Sequence, residues 1–365
     1  MRIDGIDIIN FKNIAEASLD FSKGVNCLLG MNGMGKSNLL EAIHFLCLAR
    51  PMQSIPESAL PRHGSEMMMV KGNFIMDSDV SENVSCGIVK GKGKTLKCNG
   101  KEYQRISEHI GRFPVVTVTP ADHSIVSGSA EERRKLMDMV ISQGDKTYLS
   151  HLIRYNRSLD SRNRMLKAGV KDKLLYESVE NAMDQSASVI HSTRAAWVKE
   201  ILPVFRARYS EISGDAEKAS IRYSSALNEE SLRVLLDNTR AKDQVLGFTS
   251  KGVHRDDLLT GLDEYSMRRL GSQGQVKTFT IALRLAIYSY LRKVSGLTPI
   301  LLLDDIFDKL DSSRVGRIME MVSGGEGFGQ IFITDTNREH LDEILATIHG
   351  ESRLFSVSDG QFDIL

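Results

Sequence analysis

The chain has 365 residues, with 47 Lys plus Arg balanced by 47 Asp plus Glu. That length allows two lobes and a sizeable core. The charge balance excludes a globally basic nucleic-acid binder, so any such site must be a local patch. No apolar run approaches the length of a membrane span. The opening Met1-Arg2-Ile3-Asp4-Gly5 lacks the apolar stretch of a signal peptide. Four cysteines without C-x-x-C spacing suit a reducing compartment, so a cytoplasmic protein with no membrane partner is expected. Cys27 and Cys47 read as reduced core residues, and Cys86 and Cys98 as unbridged residues facing each other across a hairpin.

Residues 1–125 read as β-rich. Ile6, Ile8, Leu19 and Phe21 alternate with polar residues around turns. Val25-Asn26-Cys27-Leu28-Leu29 reads as a short buried strand. Directly after it, Gly30-Met31-Asn32-Gly33-Met34-Gly35-Lys36-Ser37 fits the P-loop pattern G-x-x-x-x-G-K-[ST] without a mismatch. Leu39, Leu40, Ala42, Ile43 and Leu46 then form the apolar face of a helix. The glycines let successive backbone N–H groups point inward at phosphate oxygens, and the helix adds the positive end of its dipole. Residues Gly30 to Asn38 are therefore expected to cradle the phosphates of a nucleotide, with Lys36 on the β- and γ-phosphates and Ser37 on Mg²⁺. Further on, Met67–Ile75, Val84–Val89 and Thr95–Cys98 read as antiparallel strands, with Gly91-Lys92-Gly93 and Asn99-Gly100 as turns. Val115–Val118 reads as another core strand.

From 126 to 245 the pattern turns helical. Tyr148, Leu152, Tyr155, Leu159 and Leu166 fall at coiled-coil spacing with Arg162 in one slot. Met183, Ala187, Ile190, Trp197, Ile201 and Val204 do the same with Arg194 in one slot. Gly169-Val170-Lys171-Asp172 is the expected turn, giving a short antiparallel arm. Basic residues collect here (Arg154, Arg157, Arg162, Arg164 and Lys167 among them), with sparser acids such as Asp145, Asp160 and Asp172. A charge run suits a solvated face as well as a DNA contact. No base-reading motif is visible, so any contact would be with phosphates and independent of sequence.

From 246 an α/β pattern resumes. Leu270-Gly271-Ser272-Gln273-Gly274-Gln275 precedes a helix whose apolar face carries Phe279, Ile281, Leu285 and Leu291. A Ser-x-Gly-Gln turn there fits a plain N-cap and also a second phosphate-facing site. In Pro299-Ile300-Leu301-Leu302-Leu303-Asp304-Asp305, the apolar run suits a parallel strand buried on both faces. Its two carboxylates end where ligands bind in open α/β sheets. Asp304 would order Mg²⁺ through water as a Walker B acid, and Asp305 would act as the base that polarises the attacking water. Gln330–Thr334 reads as a strand and Leu341–Ile348 as a helix. Residues 1–125 and 246–365 would thus build one lobe, with the arm 126–245 inserted.

Together these motifs resemble the RecF family of bacterial recombination mediators, ABC-type ATPases of the SMC group. Asn10-Phe11-Lys12-Asn13 is similar to the family's N-F-R-N opening. Thr119-Pro120-Ala121-Asp122 with Arg133-Arg134 resembles the lead into its arm, and Asp160 to Lys167 its arm motif. Gly252-Val253-His254-Arg255-Asp256-Asp257-Leu258 resembles G-P-H-R-x-D-L. Ser272 to Gln275 resembles the ABC signature, and Asp308-Lys309-Leu310-Asp311 falls where a D-loop would.

The resemblance implies an α/β fold: an ABC-type P-loop ATPase lobe with an antiparallel β subdomain and an inserted short helical arm. It implies a slow DNA-dependent ATPase that closes as an ATP-dependent homodimer. Ser272, Gly274 and Gln275 of one subunit would act in trans on the nucleotide of the other, and Lys12 would approach it as a point charge where the family has arginine. Double-stranded and gapped DNA would be held through Arg154, Arg157, Arg162 and Arg164, with RecR as partner and RecA loading as outcome. The strand Ile331-Phe332-Ile333-Thr334-Asp335-Thr336 lacks the switch histidine of many ABC ATPases, and no Q-loop glutamine stands out. Two rivals are a transporter's nucleotide-binding subunit, against which the arm motifs argue, and a nuclease-associated ATPase. The latter would need a Toprim domain in the roughly 60 residues after Asp305.

Overall fold

The structure, a computed structural model, describes residues 1–53, 55–215, 217–307, 310–323, 327–347 and 350–365. Asp308 and Lys309 of the expected D-loop, and Ile348 at the end of the expected last helix, lie outside the described residues. The chain forms two compact units, one of residues 1–122 with 281–365 and one of residues 123–280. The inserted unit thus runs past the expected end of the arm at 245. The strand Asp257–Leu262 pairs with Ala219–Ser224, which ties the signature region to the arm unit. The helix Gln273–Ser295 belongs to both units, changing over after Thr280.

The first unit holds two six-stranded sheets. In one, Val115–Val118, Ile300–Asp304, Ile331–Asp335, Val25–Leu29 and Ser352–Ser358 run parallel in spatial order, and Gln361–Ile364 closes the edge antiparallel. The central strands Ile300–Asp304 and Ile331–Asp335 are buried at every residue, which is why they read as continuous apolar runs. The other sheet is antiparallel, and its strand Met67–Ile75 alternates between buried and open positions. The P-loop helix Lys36–Leu48 buries 11 of its 13 residues. A helix apolar on all sides must be enclosed. Its Phe45 meets Phe11 of one sheet, and its Leu46 lies against Gly72, where a methyl group would come within 2.7 Å.

The expected facing of Cys86 and Cys98 is corrected by the register. Cys86 lies opposite Leu96, and Cys98 lies opposite Val84. The turn at Gly91 to Gly93 sets that pairing, leaving the two thiols diagonal. All four cysteines are free.

In the second unit the arm helices span Lys146–Lys167 and Lys173–Ser213. Asp145 caps the first by accepting from the Tyr148 N–H, and Asp172 caps the second by accepting from Leu174 and Leu175. Between them Gly169 takes a left-handed φ of 64°, open to glycine at no steric cost. Tyr148, Tyr155, Leu166, Met183, Ala187, Ile190, Trp197 and Ile201 form the buried stripe. Leu152, Leu159 and Val204 are only half-buried, and Phe205 takes the inner position beside Val204.

Candidate nucleotide site

The parallel register brings the P-loop and the acid pair to the same end of one sheet. Asp335 sits opposite Leu29, and Thr334 opposite both Leu28 and Asp304. Gly33 and Gly35 take φ of 83° and 116°, values that favour glycine. A Cβ on Gly30 would lie 2.4 Å from the Val357 carbonyl oxygen, so the loop can pass there only as glycine. Beside Gly33 the same atom would meet nothing within 4 Å, so its left-handed φ, not crowding, is what favours glycine there. Lys36 Nζ donates to the carbonyl oxygens of Gly30 at 2.5 Å and Met31 at 3.0 Å, so its ammonium lies over the loop. Asn13 braces the outside: its Nδ2 donates to the Gly33 carbonyl oxygen at 3.2 Å, and its Oδ1 accepts from Asn38 at 2.7 Å.

The Ser37 hydroxyl donates to Asp304 Oδ1 at 2.7 Å, so P-loop and Walker B strand are joined by one hydrogen bond. Thr334 completes the link, donating to the same oxygen at 2.8 Å and accepting from the Asp305 N–H at 2.9 Å. Asp305 itself takes a left-handed φ of 48°, a conformation Asp tolerates better than most residues, and it turns the chain out of the strand. Burial raises the Asp304 carboxyl above its ordinary range, against the two hydroxyl bonds that lower it. Burial lowers the Lys36 ammonium, opposed by Asp305, Asp304 and Asp335. Three carboxylates thus act on one ammonium. That excess of negative charge beside a phosphate cradle suits a nucleotide carried with a divalent cation. Ser37 and Asp304, bonded to each other, are the oxygen donors here that could hold such a cation. No group of three His, Cys, Asp or Glu suited to a metal occurs among the described residues. Mg²⁺ needs none, because it binds through one or two protein oxygens with phosphates and water.

The other expected residues fall less simply. Lys12 does not stand free toward the loop: its ammonium pairs with the buried carboxylate of Glu41. Ser272 forms a reciprocal capping box with Gln275. The serine hydroxyl accepts from the Gln275 N–H at 3.2 Å, and the Gln275 Oε1 accepts from the Ser272 N–H at 2.7 Å. Gln275 Nε2 donates to Glu217, while Ser272 is exposed and Gly274 half-buried. The cap is therefore real, and the serine also faces solvent.

On the arm, Arg154, Arg157 and Arg164 are exposed. Arg162 is corrected from that set, because its guanidinium is fully buried. It bonds Glu180 at 2.9 Å, Asp243 at 2.8 Å and the Thr249 hydroxyl at 2.9 Å. A cation in a coiled-coil slot is held by acids from other helices, which spacing along one helix does not reveal.

Several residues carry the site or its frame without having been singled out for it. Thr334 and Asp335 are polar ends on an otherwise apolar strand, and only the strand order shows that they adjoin Asp304. Asp335 also lies 3.3 Å from His340. Asp122 of the Thr119 to Asp122 motif grips Arg284 with both oxygens, at 2.6 and 3.0 Å. The Gly252 to Leu258 motif proves to be a packing hub. Arg194 binds the Val253 carbonyl oxygen and Asp256, Arg133 binds Asp257, and His254 sits 2.7 Å from the Tyr155 hydroxyl. Burial lowers the His254 imidazole to about 4, so it packs neutral.

A P-loop strand and a Walker B strand separated by one strand in a mostly parallel sheet, with a signature turn opening the helix Gln273–Ser295, define an ABC-type ATPase head of the SMC group. Residues 2–354 match the family model of the RecF/RecN/SMC N-terminal domain. The DNA replication and repair protein RecF of Porphyromonas gingivalis is 48% identical over 362 residues, 99% of each chain. This chain belongs to the RecF family of DNA replication and repair proteins. A solved structure of the recombination mediator protein RecF with ATP, from the RecFOR pathway, superposes with a TM-score of 0.89 at 31% identity, covering 100% of this chain and 97% of that one. An Smc head domain from Pyrococcus furiosus shares the fold, with a TM-score of 0.58 at 18% identity, covering 100% of this chain and 95% of that one. No described helix is long and apolar enough to cross a membrane.

Proposed function

We propose that this chain is an ATP-gated DNA clamp of recombinational repair. Two copies would close on two ATP molecules, hold duplex DNA at single-strand gaps and, with RecR, promote RecA loading; hydrolysis would reset them. The observation that carries the reading is the Ser37–Asp304 bond, which joins the phosphate cradle to the acid pair in a member of this family. Family membership sets it above a transporter subunit or a nuclease-associated ATPase.

Each residue has a defined task. Lys36 exchanges the carbonyl oxygens of Gly30 and Met31 for the β- and γ-phosphate oxygens of ATP. The N–H groups of Gly30, Met34 and Asn38 bond the carbonyl oxygens of Asp335, Met31 and Gly35, so the remaining N–H groups of the loop would neutralise the rest of the phosphate charge. Ser37 and Asp304 would hold Mg²⁺, which when bound screens the phosphates and orients them. Thr334 keeps Asp304 and the Asp305 backbone in register. Asp305 accepts the proton of the attacking water. Ser272 of the second copy reaches the γ-phosphate, so closure depends on ATP. Asp305 has one carbon–carbon bond, about 1.5 Å, less reach than glutamate. Turnover should accordingly be slow, as suits a switch. Arg154, Arg157 and Arg164 meet phosphates of the duplex.

The test is Lys36→Ala, read by a fluorescent ATP analogue and by anisotropy of a labelled gapped duplex. The variant should lose nucleotide binding and, with it, ATP-dependent DNA binding, while its circular dichroism stays native. Native affinity for the analogue would overturn the assignment of the cradle.

A further inference from the structure

Within the motif Gly252 to Leu258, almost every polar group serves the interior. Asp256 and Asp257 hold Arg194 and Arg133, and His254 lies between Tyr155 and the Thr249 carbonyl oxygen. Arg255 is the exception. It is exposed, its guanidinium lies over the ring of the exposed Phe248, 5.3 Å from the centroid, and no carboxylate pairs with it among the described residues. Arg255 Nη2 also donates to the Thr249 carbonyl oxygen at 3.4 Å, so the aromatic face and this bond together restrain the planar fork, and its other N–H groups have no carboxylate to meet among the described residues.

The segment that carries this pair is fixed to the arm. The Thr249 N–H and hydroxyl both donate to Asn163 Oδ1 at 2.8 Å, and the same hydroxyl accepts from the buried Arg162. Ser250 donates twice to the buried Asp243. Asn163 sits beside Arg164 on the helix Lys146–Lys167, which carries one acid, Asp160, against six Lys and Arg. Lys167 runs along Gly247, its Cγ 3.5 Å from where a side chain there would begin. Lys167, Lys251 and Arg255 are exposed cations without an acid partner among the described residues, and Arg164 bonds only the Asp160 carbonyl oxygen. Helix and loop are therefore braced into one frame that carries these exposed cations.

We propose that Arg255, restrained over Phe248, is a phosphate contact for duplex DNA and that, with Lys251, it extends the DNA surface of the arm onto the loop Phe248 to Arg255. The inference rests on the DNA-clamp reading above. A phosphodiester backbone suits several exposed cations on one frame because its anions repeat, and a restrained guanidinium can bind two oxygens of one phosphate.

The experiment measures anisotropy of a labelled gapped duplex against the full chain with saturating ATP, from 50 to 200 mM KCl. Each lost phosphate contact lowers the salt slope by about 0.9 and weakens binding roughly eightfold at 0.1 M salt. Arg255→Ala and Lys251→Ala should each do this. Arg255→Lys should keep the slope, because the charge remains, and lose affinity, because the fork is gone. Phe248→Ala should also keep the slope and lose affinity. ATP-analogue binding and the melting curve should stay native in all four. A triple change of Arg154, Arg157 and Arg164 to Ala separates the outcomes. If the triple variant loses binding while Arg255→Ala keeps native affinity and slope, the loop surface is refuted and the clamp stands. If both keep native values, the clamp reading fails as well.

Discussion

Arg162→Met tests whether the arm's charged slot is structural. The side chains of Arg162, Glu180 and Asp243 are all 0% exposed, so solvent does not screen their attraction. Removing the cation strands negative charge in the interior, a change that typically costs about 3–5 kcal/mol. Two features favour the low end. Glu180 keeps Arg240 at 2.8 Å, and Asp243 keeps the N–H and hydroxyl of Ser250. The Arg162 Nη2 also lacks an acceptor, so its removal recovers some desolvation. The expected loss is therefore about 3 kcal/mol, or roughly 6–12 °C in the melting temperature of a unit of this size. The chain's single tryptophan, Trp197, is buried in this unit and reports its unfolding in urea. Adding Asp243→Asn should recover part of the loss, because the amide still accepts from Ser250 while the stranded charge is gone. A change below about 1 kcal/mol, together with a DNA salt slope reduced by about one contact, would refute the structural role and return Arg162 to the DNA surface.

Ser272→Arg should leave ATP-analogue binding intact and abolish ATP-dependent dimerisation in sedimentation velocity, at a local cost of about 0.5–2 kcal/mol from the lost cap. Stability should also fall in mild acid. Burial lowers His44 to about 3 and His254 to about 4, from an ordinary 6.5. The unfolded chain therefore binds protons that the folded chain excludes. The stabilisation is complete above pH 6.5 and is lost as pH drops toward those lowered values, by about 1.4 kcal/mol for each histidine at pH 5.5. Urea midpoints at pH 7.5 and 5.5 read this, and His254→Gln should remove its share of the difference; an unchanged difference would show that His254 does not titrate in this way.

The parts of the site defined by local pattern were visible in the sequence. The P-loop and the apolar Walker B strand are set by residues a few positions apart, and sequence order displays them directly. What stayed hidden depends on pairing between distant segments. Thr334 and Asp335 join the site only because their strand lies between the other two. Glu41 captures Lys12 across a helix and a strand. The Gly252 to Leu258 motif and Arg133-Arg134 could be read separately in sequence, yet each is the other's contact. Arg162 misled for the same reason: helical spacing marks the slot as internal, but the acids that make a buried arginine tolerable sit 18 and 81 residues away. The Cys86–Cys98 facing failed by one diagonal step, since the composition of a hairpin does not fix its register.

The central claim is that ATP joins two copies through a site completed in trans. Sedimentation velocity of Asp305→Asn with ATP and Mg²⁺ tests it most directly. This variant keeps the cradle, Ser37 and Asp304 but cannot take the proton from water, so bound ATP should persist. The account predicts a stable dimer that forms with ATP, is absent without nucleotide and disappears when Ser272→Arg is added. A variant that binds ATP at native affinity yet sediments as a monomer at every protein concentration would contradict it.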